Sequence, residues 1–437
     1  MEKIDLIIEA EFILPMAAEA SVLKNHALAI HQGKIIAIEP YATLQKTYQA
    51  KEWVQRPHHI LLPGFINAHT HIPMNLFRGL ADDYPLMTWL HEHIWPAEKE
   101  HLNEDFIRDG SLLAIAEMIR GGTTCFNDHF FFHDTIAETT LSTGLRATVG
   151  LCVAEFPTAW AQDATDYLKK AETTLKQGSP SDLITYAMAP HSIYAVSEQT
   201  LQKCKSLART FHTPIHIHVH ETKVEVEESL AKTGKRPLRR LHELGLLDSH
   251  LIAVHMTQIN EEDIALLKET QAHVVHSPQC NMKLASGICP VERLHRESIN
   301  IAIGTDGVAS NNDLNMIEEM RTAAFLAKVV SENAAAIPAH TVLRMGSYQG
   351  AKALGLEKKI GTLEIGKEAD LISIDCDQIE LLPLYHPHAQ LIYAANRENV
   401  NDVWVQGKML LKNRELTSLD EEKIKHIGRS WGEKIKK

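Results

Sequence analysis

Between residue 60 and about residue 360 the sequence repeats one alternation eight times: a short, nearly continuous apolar run, then a longer amphipathic stretch. The runs are 60–69 (ILLPGFINAH), 123–128 (TTCFND), 146–153 (RATVGLCV), 183–190 (LITYAMAP), 214–220 (PIHIHVH), 251–256 (LIAVHM), 272–277 (AHVVHS) and 299–305 (INIAIGT). Runs with no polar alternation belong to strands buried on both faces, and helices covering a parallel sheet produce that burial. Eight such units predict an α/β fold, a closed (β/α)8 TIM-like barrel. An open doubly wound sheet is the competing architecture, but no Gly-rich phosphate loop follows the first run.

The two ends of the chain are different in kind. DLIIEAEFIL and HALAIHQGKIIAIEP precede the barrel, and LEIGKEADLISID and NDVWVQGKMLL follow it, ahead of a charged helical tail. GKIIAI suits the second strand of a hairpin. Because chain termini usually lie close together, residues 1–59 and 362–437 are expected to form one small composite β-sandwich domain beside a barrel domain over 60–361. A chain of 437 residues, 44% hydrophobic and 23% charged, is long enough for both.

Charge and composition narrow the function. A formal net charge of −12 argues against nucleic acid or an anionic membrane surface as partner. No stretch approaches the ~20 apolar residues of a membrane span. The start, MEKIDLIIEAEFILP, lacks the basic region and continuous apolar core of a secretory signal. Six scattered cysteines without a CxxC pair suit reduced thiols in a cytoplasmic protein.

The 26 histidines carry the chemistry. His69 and His71 close the first run, and the two-residue period of a strand points both imidazoles to one face, half of a transition-metal site. In a barrel the active site lies at the C-terminal ends of the strands. The other runs deliver His191, then His216, His218, His220 and Glu221, then His255, then His273 and His276, and finally Asp306 within GTDG. Three imidazoles and a carboxylate suit one divalent metal, Zn first, with Fe or Mn also accepted. Such a metal acidifies its water, and two nearby carboxylates can then move protons; Asp306 and Glu221 fit those roles. Periodicity alone does not choose among His216, His218 and His220, which share a strand face.

This constellation resembles the amidohydrolase superfamily, and GTLEIGKEADL resembles that superfamily's returning β domain. The run at 183–190 holds no Lys, so the resemblance implies a mononuclear site. PGFINAHTHIPMNLFRGLADDYPLMTWLHEHIWPAE, APHSIY, HIHVHET and CNMKLASG look like the 5-methylthioadenosine/S-adenosylhomocysteine deaminases. That resemblance implies metal ligands His69, His71, His218 and Asp306, with Glu221 as the proton-shuttling acid. It implies that His255 polarises the attacking water, His191 lies over the purine and Glu98 accepts the ribose hydroxyls. Trp89 would stack or pack along the substrate. His216, His220 and His276 are left as barrel filling or support, and His91, His93 and His101 as solvated surface.

The expected reaction is hydrolytic deamination at carbon 6 of a nucleoside, giving an inosine derivative and ammonia, in a protein related to enzymes that often form homo-oligomers. Glu221 would protonate ring nitrogen 1, and Asp306 would pass the water proton to the leaving amine. Two departures stand out: Cys280 and Met282 replace the usual Ser and Leu, and residues 147–208 contain no Arg. Lack of Arg there favours a neutral methylthio tail over an amino-acid tail. The same scaffold would serve a guanine or oxidised-guanine deaminase or a triazine hydrolase, which need no ribose-binding Glu98. A scaffold without catalysis should have lost ligands, and this chain keeps them.

Overall fold

The computed structural model describes residues 1–436. Eight parallel strands follow one another in chain order around a ring: Phe65–Thr70, Thr123–Asp128, Arg146–Val153, Ile184–Pro190, Ile215–Val219, Leu251–His255, His273–His276 and Ile301–Ile303. Every residue of the first three is buried, as a sheet covered by helices on its outer face requires. The ring closes between its last and first strands. Asn67 Nδ2 donates to Thr305 Oγ1 at 2.7 Å and its Oδ1 accepts from the Thr305 amide at 3.0 Å.

The first apolar run is divided between two sheets. Ile60–Pro63 ends the long strand Tyr48–Pro63 and pairs antiparallel with Leu371–Asp375. The barrel begins past Gly64, where a Cβ would lie 2.1 Å from the Thr124 side chain, so glycine alone lets the chain cross.

The second sheet joins both ends of the chain. Glu2–Ile13, Leu23–His31, Lys34–Pro40 and Tyr48–Pro63 meet Leu371–Asp375, Val400–Val405, Lys408–Lys412 and Glu415–Leu416 in one mixed sheet. The hairpin turn at Gln32–Gly33 has φ of 49° and 76°, the left-handed pair that matches strand twist. The sheet curls so that this turn meets the other half. The Ala369 amide donates to the Gly33 carbonyl at 2.8 Å, and the Gly407 amide to the Ala369 carbonyl at 3.0 Å. Ile8, Leu28, Ile30, Leu61, Leu371 and Trp404 fill the space enclosed. Arg146, fully buried at the start of the third barrel strand, binds Asp370 Oδ2 at 2.8 Å and pairs with Glu368, so a barrel strand is ionically tied to the sheet.

The C-terminal helix Glu421–Ile435 leaves the sheet and packs on the barrel helix Glu104–Arg120. Its Trp431 donates to Asp109 Oδ2 at 2.9 Å and meets Phe106 edge-on. Among the described residues no helix is long and apolar enough to cross a membrane.

A cap rises over the C-terminal mouth of the barrel between its first and second strands. Its middle, Trp89–Ile94, is wound as a π-helix, a turn frequent at functional sites. Trp95–His101 follows as α-helix, with Pro96 in its first turn where no amide bond is lost. Lys283 Nζ bonds Asp82 Oδ1 at 2.5 Å and fastens the base of this cap to the barrel rim.

Candidate active site

Four of the expected donors converge at the mouth. His69 Nε2 lies 3.3 Å from His218 Nε2 and 3.3 Å from Asp306 Oδ1, and His71 Nε2 lies 3.2 Å from the same oxygen. These are three of the six separations among the four donors, and the ligand atoms of His69, His71 and His218 all lie within 4.8 Å of one another. Such a cluster could hold one divalent ion. Each ring is held by its other nitrogen. His71 Nδ1 donates to the His129 carbonyl at 2.6 Å and His218 Nδ1 to the His191 carbonyl at 2.7 Å, while His69 Nδ1 lies 3.0 Å from His216 Nε2. The two carbonyl acceptors fix the tautomers of His71 and His218 that leave their Nε2 lone pairs pointing at the centre. Burial holds His69 at a pKa of about 4 and His218 well below its ordinary value, so both rings are neutral and ready to ligate.

Beside the cluster stand two carboxyls of opposite character. Burial, then the charge of Asp306, pushes Glu221 up to about 8. Burial acts on Asp306 in the same direction, but the facing imidazoles of His69 and His71 outweigh it and hold that carboxyl well below the usual range. Environments that drive two carboxyls apart define an acid and a base. Glu225 accepts from the amides of His220 and Glu221 at 2.9 and 2.8 Å and so pins the turn that presents Glu221. His255 Nε2 is 3.8 Å from Glu221 Oε2, and its Nδ1 bonds Asn281 at 2.9 Å. His255 and Asp306 have φ of 79° and 66°, left-handed conformations costing about 1–3 kcal/mol each that other contacts must sustain. Cys280 donates its thiol to Asp306 Oδ2 at 2.8 Å, filling the role a hydroxyl would have.

The cavity above these groups is lined by His71, His218, Glu221, His255 and Asp306 on its floor and by Trp89, Trp95, Glu98 and His191 on its sides. Desolvation by these apolar walls raises Glu98 to about 7. The Trp89 indole N–H is spent on the Ala81 carbonyl at 3.0 Å, which leaves the ring to make apolar contact.

Three histidines depart from expectation. His220 leaves the strand face it was expected to share, because φ turns to 57° there; its ring bonds the Gln258 carbonyl at 3.1 Å and the Leu238 amide at 3.1 Å. His273 begins its strand, so it lies at the opposite mouth, in a cavity with Thr213 and Asn300. His101 is buried, since the chain turns there from one helix into the next, whereas His91 is exposed as expected.

His129 went unread in the sequence. It is buried at the cavity wall, both ring nitrogens lack a partner, and its ring stacks on His218 at 4.6 Å. The signal was its place, the first residue past the second barrel strand and in phase with Asn127.

Residues 60–410 match the Amidohydrolase family, and the chain belongs to that family. Within it the relatives are specific. A protein of Teredinibacter turnerae named 5-methylthioadenosine/S-adenosylhomocysteine deaminase is 43% identical over 432 residues, 99% of this chain and 98% of its own. A zinc-bound adenosine deaminase from Xanthomonas campestris superposes with a TM-score of 0.98 at 47% identity, covering 100% of this chain and 99% of that one. Atrazine chlorohydrolase from Arthrobacter aurescens, at 19% identity and a TM-score of 0.90 over 98% of this chain and 99% of its own, shares the fold.

Proposed function

We propose that the protein is a metal-dependent deaminase that hydrolyses 5′-methylthioadenosine, S-adenosylhomocysteine or both to the inosine derivative and ammonia. The observation that carries this reading is that Glu221 and Asp306 face one cavity beside the clustered rings of His69, His71 and His218. His69, His71, His218 and Asp306 would hold a zinc ion. When bound, the ion acidifies and orients the hydrolytic water.

The protein's own groups do the rest. Asp306 takes one proton from the attacking water as its oxygen bonds to carbon 6. Glu221 gives its proton to ring nitrogen 1, so the ring's electrons have somewhere to go. His255 stabilises charge on the incoming oxygen. Asp306 then returns its proton to the amine, which departs as ammonia, and the remaining hydroxyl proton recharges Glu221. Glu98 on the far wall is placed to accept both hydroxyls of a ribose, a bidentate task suited to a carboxylate. His191 bounds the purine. Six free, buried cysteines support a cytoplasmic setting.

The test is ammonia release by protein of known metal content from methylthioadenosine, S-adenosylhomocysteine, adenosine and guanine in parallel. Release from the first two, lost on chelation and restored by zinc, is expected. Release from guanine alone would overturn the assignment.

A further inference from the structure

The cavity that holds the reacting groups is small, about 100 Å3. Pockets that enclose whole small molecules run to roughly 300–1,000 Å3. Past Trp95, Glu98 and Phe156 it continues into an outer chamber of about 630 Å3, which shares those three residues as walls. A nucleoside whose carbon 6 sits over the metal cluster must therefore reach through this passage. With Glu98 holding the ribose, the substituent on carbon 5′ is the part that enters the chamber.

Resting on the deaminase reading, we infer that Trp95 and Phe156 are specificity-determining residues that select a neutral, apolar 5′ substituent over a charged amino-acid tail. Their ring centroids are 6.1 Å apart with planes tilted by 43°, an aromatic pair in mutual contact against which a thioether sulfur can pack. Beyond it the walls are Leu102, Pro157, Ala159 and Thr158, whose hydroxyl is already bonded to the Tyr167 hydroxyl. Among the described residues Lys99 is the one cation lining the chamber, and it is exposed. A carboxylate meeting a solvated lysine gains little, because water and salt screen the pair. The amino-acid tail would also give up its water against apolar rings without a buried partner. A methylthio group loses nothing and gains contact area.

The test uses metal-loaded full-length enzyme and kcat/KM for methylthioadenosine, adenosine and S-adenosylhomocysteine. Wild type should favour methylthioadenosine over each of the others by ~10-fold or more, the discrimination an apolar pocket gives for small alkyl differences. Trp95→Ala should cost methylthioadenosine at least ~10-fold more than it costs adenosine. Phe156→Arg, at a half-buried position that tolerates the longer chain, should shift the ratio towards S-adenosylhomocysteine. The preference should survive Lys99→Met. Equal use of all three substrates by wild type, or equal losses on all three in Trp95→Ala, would overturn the inference and leave the deaminase reading standing. Failure to release ammonia from any of the three would sink that reading itself.

Discussion

The amide of Asp306 donates to the carbonyl of His69 at 3.0 Å. One backbone bond thus joins the last strand of the barrel to the first at the point where each delivers a residue proposed to hold the metal. Closure of the ring and assembly of the site are the same event, and what loosens one loosens the other.

Gly304 guards that junction. A Cβ there would lie 2.7 Å from the His69 nitrogen and 2.8 Å from its Cβ, contacts that neither backbone can relieve alone. Gly304→Ala should destabilise by about 1–3 kcal/mol, as overpacking does. It should also displace His69. Metal analysis of the purified variant is expected to fall well short of one ion per chain, with thermal unfolding at lower temperature. A full complement of metal would show that the strand junction does not set the ligand geometry.

Glu221→Gln keeps shape and removes the transferable proton. Loss of general acid catalysis should cost ~100- to 10,000-fold in kcat with metal still bound. The pH profile carries the sign. A carboxyl raised to about 8 is protonated below that pH, so activity that needs its proton falls as pH climbs through that range. A bound cation draws the limb lower, never higher. An alkaline limb above pH 9 would assign the acid to another group.

His216 was expected as support, and its bond to His69 Nδ1 gives that support a mechanism. His216→Ala should weaken zinc affinity ~10- to 100-fold, the usual effect of deleting a ligand's outer partner. Competition with a chelator measures it. Unchanged affinity would mean that the His69 ring is fixed by packing alone.

How much of this the sequence disclosed depended on what each signal depends on. Eight apolar runs sufficed for the barrel, because two-sided burial shows in composition at every strand. His69 and His71 were legible because they end a strand in phase. The same period misplaced His220, since a single left-handed φ at the strand end turns its ring away, and sequence does not print φ. The split of ILLPGF between two sheets was hidden for a similar reason. Apolar residues on both sides of Gly64 look like one strand, and only the Thr124 side chain pressed against that glycine shows the crossing. His129 lay one residue beyond the run inspected. The opposed carboxyls Glu221 and Asp306 were nameable, but their opposition comes from burial and from imidazoles brought in by other strands.

Glu98 makes a prediction about substrate binding rather than chemistry. Burial raises it to about 7, so it is ionised above that pH and neutral below. An ionised carboxylate accepts two hydroxyls, and a neutral one must turn a donor towards them. KM for adenosine nucleosides should therefore fall as pH rises from 6 to 8, and Glu98→Gln should flatten that dependence while raising KM. A slope that persists in Glu98→Gln would place the titrating group elsewhere.

Arg146 tests the bond between the two sheets. Its guanidinium is fully buried, with Nε on Asp370 at 2.8 Å and Nη1 on the Asp182 carbonyl at 3.0 Å, and the Gln406 amide donates to the same Asp370 at 2.8 Å. Removing one partner of a buried ion pair costs about 3–5 kcal/mol, because the other is left charged and dry. Arg146→Met should cost that much in denaturant unfolding, while the protein that remains folded keeps its metal and its KM, since Arg146 lies at the far end of its strand from the site. The paired change Arg146→Met with Asp370→Leu removes two of the three charges, leaving Glu368, and should recover part of the loss. If the single variant unfolds no more easily than wild type, Arg146 does not hold the barrel to the sheet. If the double variant is worse than the single, the stability comes from the hydrogen bonds of Asp370 to the sheet and not from the ion pair.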